Sequence, residues 1–91
     1  MPKIEDAIEF ATNNEKEIRR SKLVGCYYCM RVYPASDVSP GDFIPAFDFR
    51  ADERTARCPH CGVDSVIPET AGYELNAEML RKLHEYWFTP P

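Results

Sequence analysis

The chain holds four cysteines, and they fall in two pairs of equal spacing: Cys26-Tyr27-Tyr28-Cys29 and Cys58-Pro59-His60-Cys61, with 28 residues between Cys29 and Cys58. This spacing admits three chemistries. A Cys-Pro-His-Cys stretch can cycle between dithiol and disulfide, or supply half of an electron-transfer iron site, or half of a structural zinc site. A gap of two residues lets a tight turn aim both sulfurs at one ion about 2.3 Å away, and two such turns complete a tetrahedron. With no fifth cysteine in the chain, the expectation is one shared four-thiolate site made of Cys26, Cys29, Cys58 and Cys61. Gly62 follows the second pair and lets the backbone turn sharply, so that N–H groups face the sulfurs and stabilise their charge.

The neighbouring groups add no catalytic machinery. In dithiol oxidoreductases of the thioredoxin fold the motif opens a helix whose N-terminus lowers the thiol pKa. Here Gly62-Val63-Asp64-Ser65-Val66-Ile67-Pro68 follows, a poor helix start that runs into two β-branched residues and a proline. His60 therefore reads as an exposed turn residue, and His84, at the edge of an apolar stripe, as a partly buried structural histidine. Asp64 and Ser65 have no histidine or second acid at a defined spacing, so hydrolytic chemistry is unsupported. Asp64 is expected to bond backbone N–H groups near the second turn, with Ser65 facing solvent. No catalytic residue is assigned, and the expectation is a non-enzymatic protein.

The elements that must position these residues are short. At 91 residues the chain is one domain over 1–91, and 8 prolines with 4 glycines interrupt it too often for long elements. Residues 3–21 read as a helix: Glu5 and Asp6 lie in its first turn, Ile4, Ala7, Ile8 and Ala11 fall at helical spacing, and Glu15 and Arg19 form an i,i+4 pair. Phe47-Asp48-Phe49-Arg50 and Thr55-Ala56-Arg57-Cys58 alternate as hairpin strands around a polar loop over 51–54. Val63 to Ile67 is a further strand candidate. Asn76 then caps a helix whose stripe is Met79, Leu80, Leu83 and Trp87, with Glu78 and Lys82 paired on its exposed side.

The chain from Cys26 to Val63 resembles rubredoxin. It shares Cys26-Tyr27-Tyr28-Cys29, Tyr33-Pro34, Pro40-Gly41, Phe43 and Cys58-Pro59-His60-Cys61-Gly62-Val63 with that pattern. It departs from it at Met30, where the family has glycine, and at Thr55-Ala56-Arg57, which lacks the usual aromatic. Residues 24–88 also resemble a family of small, uncharacterised bacterial cytoplasmic proteins. Those carry Cys-aromatic-x-Cys, then Cys-Pro-x-Cys-Gly-x-Asp-Ser-Val-Ile, and a helix ending in Tyr-Trp-Phe, here Tyr86-Trp87-Phe88. The resemblances imply a small α+β metal-binding domain: an N-terminal helix over 1–22, a rubredoxin-like zinc ribbon over 23–68, and a C-terminal helix over 75–88. They imply Zn2+ as the metal, with iron in a rubredoxin-type electron carrier as the alternative.

Partners and compartment follow from charge and patterning. The formal charge is −4, opposite to what phosphate contacts require, so nucleic acid is disfavoured. The basic cluster Lys16, Arg19, Arg20, Lys22 and Arg31 reads as a solvated helix end. Acids occupy the opening MPKIEDAIEF, where a leader would have a basic and then an apolar region, and no stretch approaches the ~20 apolar residues of a membrane span. The expectation is a cytoplasmic protein whose partner is another protein of unknown identity. Tyr27, Tyr28, Tyr86 and Phe88 are the candidates for its interaction face, against roles in core packing and metal shielding.

Overall fold

The computed structural model describes residues 3–44 and 54–88. Around a 3-10 turn at Ile4–Asp6, the elements run α1 (Ala7–Phe10), α2 (Glu15–Arg20), β1 (Leu23–Cys26), β2 (Arg31–Pro34), β3 (Phe43–Ile44), β4 (Thr55–Ala56), β5 (Val66–Pro68) and α3 (Ala77–Phe88). Strand β1 is central, antiparallel to β2 on one side and to β5 on the other, and β3 pairs with β4 in a second, two-stranded sheet. This is a small α+β fold with antiparallel sheets.

Side chains of a strand point to alternate faces, and each face of the three-stranded sheet has its own core. Val24, Cys26 and Val66 pack with Ile18, Tyr33 and Phe43. On the other side Ile67 packs with Ala7, Ala11, Tyr27, Leu80 and Leu83. A β-carbon at Gly25 would lie 3.2 Å from both Leu75 and Leu80, so its missing side chain is what lets α3 settle against β1. Leu80 and Leu83 are fully buried there, each worth roughly 2–3 kcal/mol of apolar burial.

The continuous helix expected over 3–21 is broken. Helix α1 ends at Phe10 and α2 starts at Glu15. Between them the Thr12 hydroxyl bonds back to the Ile8 carbonyl at 2.7 Å, and Asn13 takes a left-handed φ of 49°, a conformation asparagine tolerates. Asn14 is buried, and its amide donates to the carbonyls of Phe10 (2.9 Å) and Val66 (2.8 Å) and accepts from the Ala56 amide (3.0 Å). The break carries the chain from the α3 side of the sheet, where Ala7 and Ala11 pack, to the cysteine side, where Ile18 packs.

Strand β4 begins at Thr55 as expected, but its partner is Phe43–Ile44; the strand candidate over 47–50 lies outside the described residues. Arg54, assigned to a polar loop, is instead tied to α2. Its carbonyl accepts from the Glu15 amide at 3.1 Å, and its guanidinium forks onto the Glu15 carboxylate. Strand β5 starts at Val66 rather than Val63, because residues 63–65 turn toward the sulfurs. Pro68 belongs to it, as an edge strand allows. At α3 the Met79 amide donates to the Asn76 side chain at 2.8 Å, which is the expected cap. Among the described residues no helix is long and apolar enough to cross a membrane.

Candidate metal centre

The two cysteine pairs sit on different connections. Cys26 ends β1 and Cys29 precedes β2, so the first pair is the turn of a hairpin whose register sets Cys26 opposite Arg31. The second pair lies between β4 and β5. After each pair the backbone reverses through a left-handed residue, Met30 at φ 60° and Gly62 at φ 81°. Those reversals bring the Arg31 amide onto the Cys29 sulfur and the Val63 amide onto the Cys61 sulfur. The Gly62 N–H itself does not face a sulfur; it donates to the Cys58 carbonyl at 2.8 Å. Glycine thus acts through its φ, which aims the next amide but one after the cysteine.

Sheet register and turn geometry together make the four sulfurs converge, all within 4.8 Å of one another. The Cys26 and Cys61 sulfurs are 3.6 Å apart, and those of Cys29 and Cys58 3.8 Å apart. A tetrahedron with metal–sulfur bonds of about 2.3 Å has edges of about 3.8 Å. A disulfide needs about 2.05 Å, and all four thiols are free. The cluster therefore has the donor number, donor type and spacing of a four-sulfur metal site, which suits zinc and iron alike. Cys26 and Cys58 are buried, whereas Cys29 and Cys61 are half-buried.

The surroundings act unequally on the four thiols. Burial, together with the nearby Cys26 sulfur, pushes the Cys29 thiol up to about 11. Burial likewise pushes Cys61 well above the ordinary thiol range. Burial opposes ionisation of Cys58 too, but hydrogen bonds from the Tyr33 hydroxyl and from the His60 and Cys61 amides outweigh it and hold that thiol below its ordinary value. The Tyr33 hydroxyl donates to Cys58 at 3.3 Å and the His60 amide at 3.4 Å. Burial keeps Tyr33 protonated and so a donor. A cation is what would offset the repulsion among the remaining sulfurs.

Ser65 corrects its expected position. It is buried, and its hydroxyl shares a hydrogen bond with the Cys26 sulfur at 3.4 Å. Asp64, expected to bond backbone amides, is exposed and makes no hydrogen bond among the described residues; its charge does help burial push the Tyr27 hydroxyl up to about 12. His60 is on the exposed turn, its ring edge-on to Tyr33 at 4.8 Å and 3.8 Å from the Asp37 carboxylate. His84 is half-buried, with Nδ1 3.0 Å from the Tyr27 carbonyl. The contributions of Tyr33 and Ser65 were not read from sequence. The signal for Tyr33 is the hairpin itself, whose register pairs it with Val24 on the cysteine face.

The end of α3 closes over the first pair. Phe88 packs against Tyr28 (4.9 Å between ring centroids), His84 (5.4 Å) and Tyr27 (5.7 Å). Trp87 donates its indole N–H to the Ile4 carbonyl at 3.2 Å. Of the four aromatic candidates, Tyr27 is buried, while Tyr28, Tyr86 and Phe88 keep large exposed areas. The chain matches no protein-family model, no curated protein and no solved structure.

Proposed function

We propose that the chain is a non-enzymatic, cytoplasmic zinc-ribbon protein that binds another protein, with Cys26, Cys29, Cys58 and Cys61 holding one structural Zn2+. The convergence of four sulfurs at tetrahedral spacing carries this reading. Four protein ligands leave no open position for activating water, so the metal's contribution is to folding. It ties the β1–β2 turn to the β4–β5 connection, in a chain whose apolar core alone is modest. On this reading the ribbon spans 23–68, and the described parts of 1–22 and 75–88 flank it. Exposed aromatic side chains at Tyr28, Tyr86 and Phe88 support a protein partner. Arg19 and Arg20 are already paired with Glu15 and Glu17, which leaves less positive charge for nucleic acid.

Metal analysis of the purified chain is expected to return one zinc per chain, and Cys58→Ser to lose both the metal and the folded middle. A Cys58→Ser variant with unchanged metal content and stability would overturn the reading. The amide and hydroxyl donors on the sulfurs support a second reading, because such groups set the potential of iron–thiolate centres. As a rubredoxin-type electron carrier the protein would be red, with thiolate-to-iron charge-transfer absorption, when produced in iron-replete cells. Colourless protein with stoichiometric zinc under those conditions decides against iron.

A further inference from the structure

A cleft of about 320 Å³ lies where α1, the first cysteine turn, the segment after the second turn and the end of α3 meet. Its walls are Ile8, Tyr27, Val63, Trp87 and Phe88, and its single charged lining residue is Asp64. The other polar side chains at its edge are already engaged. The Thr12 hydroxyl donates to the Ile8 carbonyl at 2.7 Å, the Thr55 oxygen accepts from the Asn13 amide at 2.8 Å, and Ser65 is on the Cys26 sulfur at 3.4 Å. Two groups are left over. Tyr27 is 3% exposed, yet its hydroxyl bonds to no described residue. Tyr27 borders the cleft, and the Asp64 charge acts on its hydroxyl. The Asp64 carboxylate has no ion-pair partner among the described residues.

We propose that this cleft takes an arginine side chain presented by a partner protein. The inference rests on the reading of the chain as a protein-binding module and names what it recognises. A mainly apolar cleft whose lining also holds one carboxylate residue and one tyrosine fits a side chain with an aliphatic stem and a planar, multi-donor cation. The aromatic walls favour guanidinium over ammonium, because guanidinium stacks on ring faces and forks onto a carboxylate. The walls are held in place beforehand: Trp87 by its bond to Ile4 at 3.2 Å, Phe88 by Tyr28 at 4.9 Å, so little ordering opposes binding. The chain's charge of −4 favours a cation. A protein suits the site better than a small molecule because apolar surface continues past its mouth. Ile8 is 49%, Tyr28 43% and Phe88 39% exposed, area that a ligand confined to the cleft would leave uncovered.

The test is a titration of the 91-residue, metal-loaded, 15N-labelled chain with the peptide acetyl-Ala-Leu-Arg-Leu-Ala-amide. Saturable shifts are expected at the Tyr27 and Asp64 amides and at the Trp87 indole. Replacing the peptide's arginine by norleucine is expected to weaken binding about tenfold, as is Asp64→Asn in the protein. Tyr27→Phe, which keeps the ring, is expected to weaken it about threefold. Absence of saturable shifts in a protein with native metal content and a native spectrum would overturn the proposal. Equal binding of the norleucine peptide would overturn its cation specificity, and equally tight binding of agmatine would assign the cleft to small guanidines. Missing metal in the unmodified chain would strike the metal reading instead, so the two failures are distinguishable.

Discussion

Met30 follows its cysteine pair at φ 60°, as Gly62 follows the other at φ 81°, so the same backbone reversal is made once by a side-chain-bearing residue and once by glycine. A left-handed conformation costs a non-glycine residue about 1–2 kcal/mol, and the greater chain entropy of glycine gives back about 0.5–1 kcal/mol of that on replacement. Met30 is 42% exposed and belongs to neither core cluster, which limits the packing lost with it. Met30→Gly is therefore expected to stabilise the metal-saturated protein by about 0.5–1 kcal/mol, read as a rise of a few degrees in Tm. A lower Tm would mean that Met30 packs usefully against the site. The departure from glycine at this position is visible in the sequence. That the turn keeps its left-handed shape regardless is not, because it follows from closing a hairpin over two sulfurs aimed at one point.

The break between α1 and α2 shows why an element can be legible in type and wrong in extent. Helical spacing of Ile4, Ala7, Ile8 and Ala11 and the Glu15–Arg19 pair, at 2.9 Å, both belong to real helices. Thr12-Asn13-Asn14 is the local sign of the break, since these residues hydrogen-bond the backbone in competition with the helix. The deciding factor is distant in sequence. Asn14 donates to Val66 of edge strand β5 and accepts from Ala56 of β4, so one side-chain amide joins the two sheets where no strand runs between them. Asn14→Ala would leave the buried Ala56 amide and the Val66 carbonyl without that partner. It is expected to destabilise the protein by about 3 kcal/mol, measured by denaturant unfolding of the metal-saturated chain. A loss below about 0.5 kcal/mol would show that another group or water replaces the amide. Glu15 adds to the same junction: hydrogen bonds from Arg54 foremost, aided by Arg19, hold its carboxyl down at about 2.

At the scale of the whole molecule, metal, protons and fold are one equilibrium. The sulfurs that converge here come from two connections 28 residues apart in sequence, and bringing them together concentrates groups that resist ionisation, Cys29 at about 11 and Cys61 higher. Below those values the thiols carry protons that a metal must displace, and each displaced proton multiplies apparent affinity tenfold per pH unit. Cys29 and Cys61 alone are therefore expected to raise zinc affinity about 10²-fold per unit between about pH 5 and 7, and to lower it as steeply on acidification. Competition with a chelator at fixed ionic strength measures that slope, and a slope near zero would mean that the thiolates exist before the metal arrives.

What the sequence determined by itself was local: the paired cysteines at one spacing, the turn residues beside them, the apolar stripe and Asn76 cap of α3, and the start of β4. These follow from neighbours within one or two turns of chain, where spacing and propensity act directly. What only the tertiary structure decided was which distant groups complete them. Tyr33 reaches Cys58, Ser65 turns inward to Cys26, Asn14 bridges two sheets, and Tyr27 and Asp64 are left facing one cleft. The physical reason is the same in each case. A polar side chain can find its partner anywhere the fold brings one within about 3 Å, and that proximity is a property of register and packing across the chain.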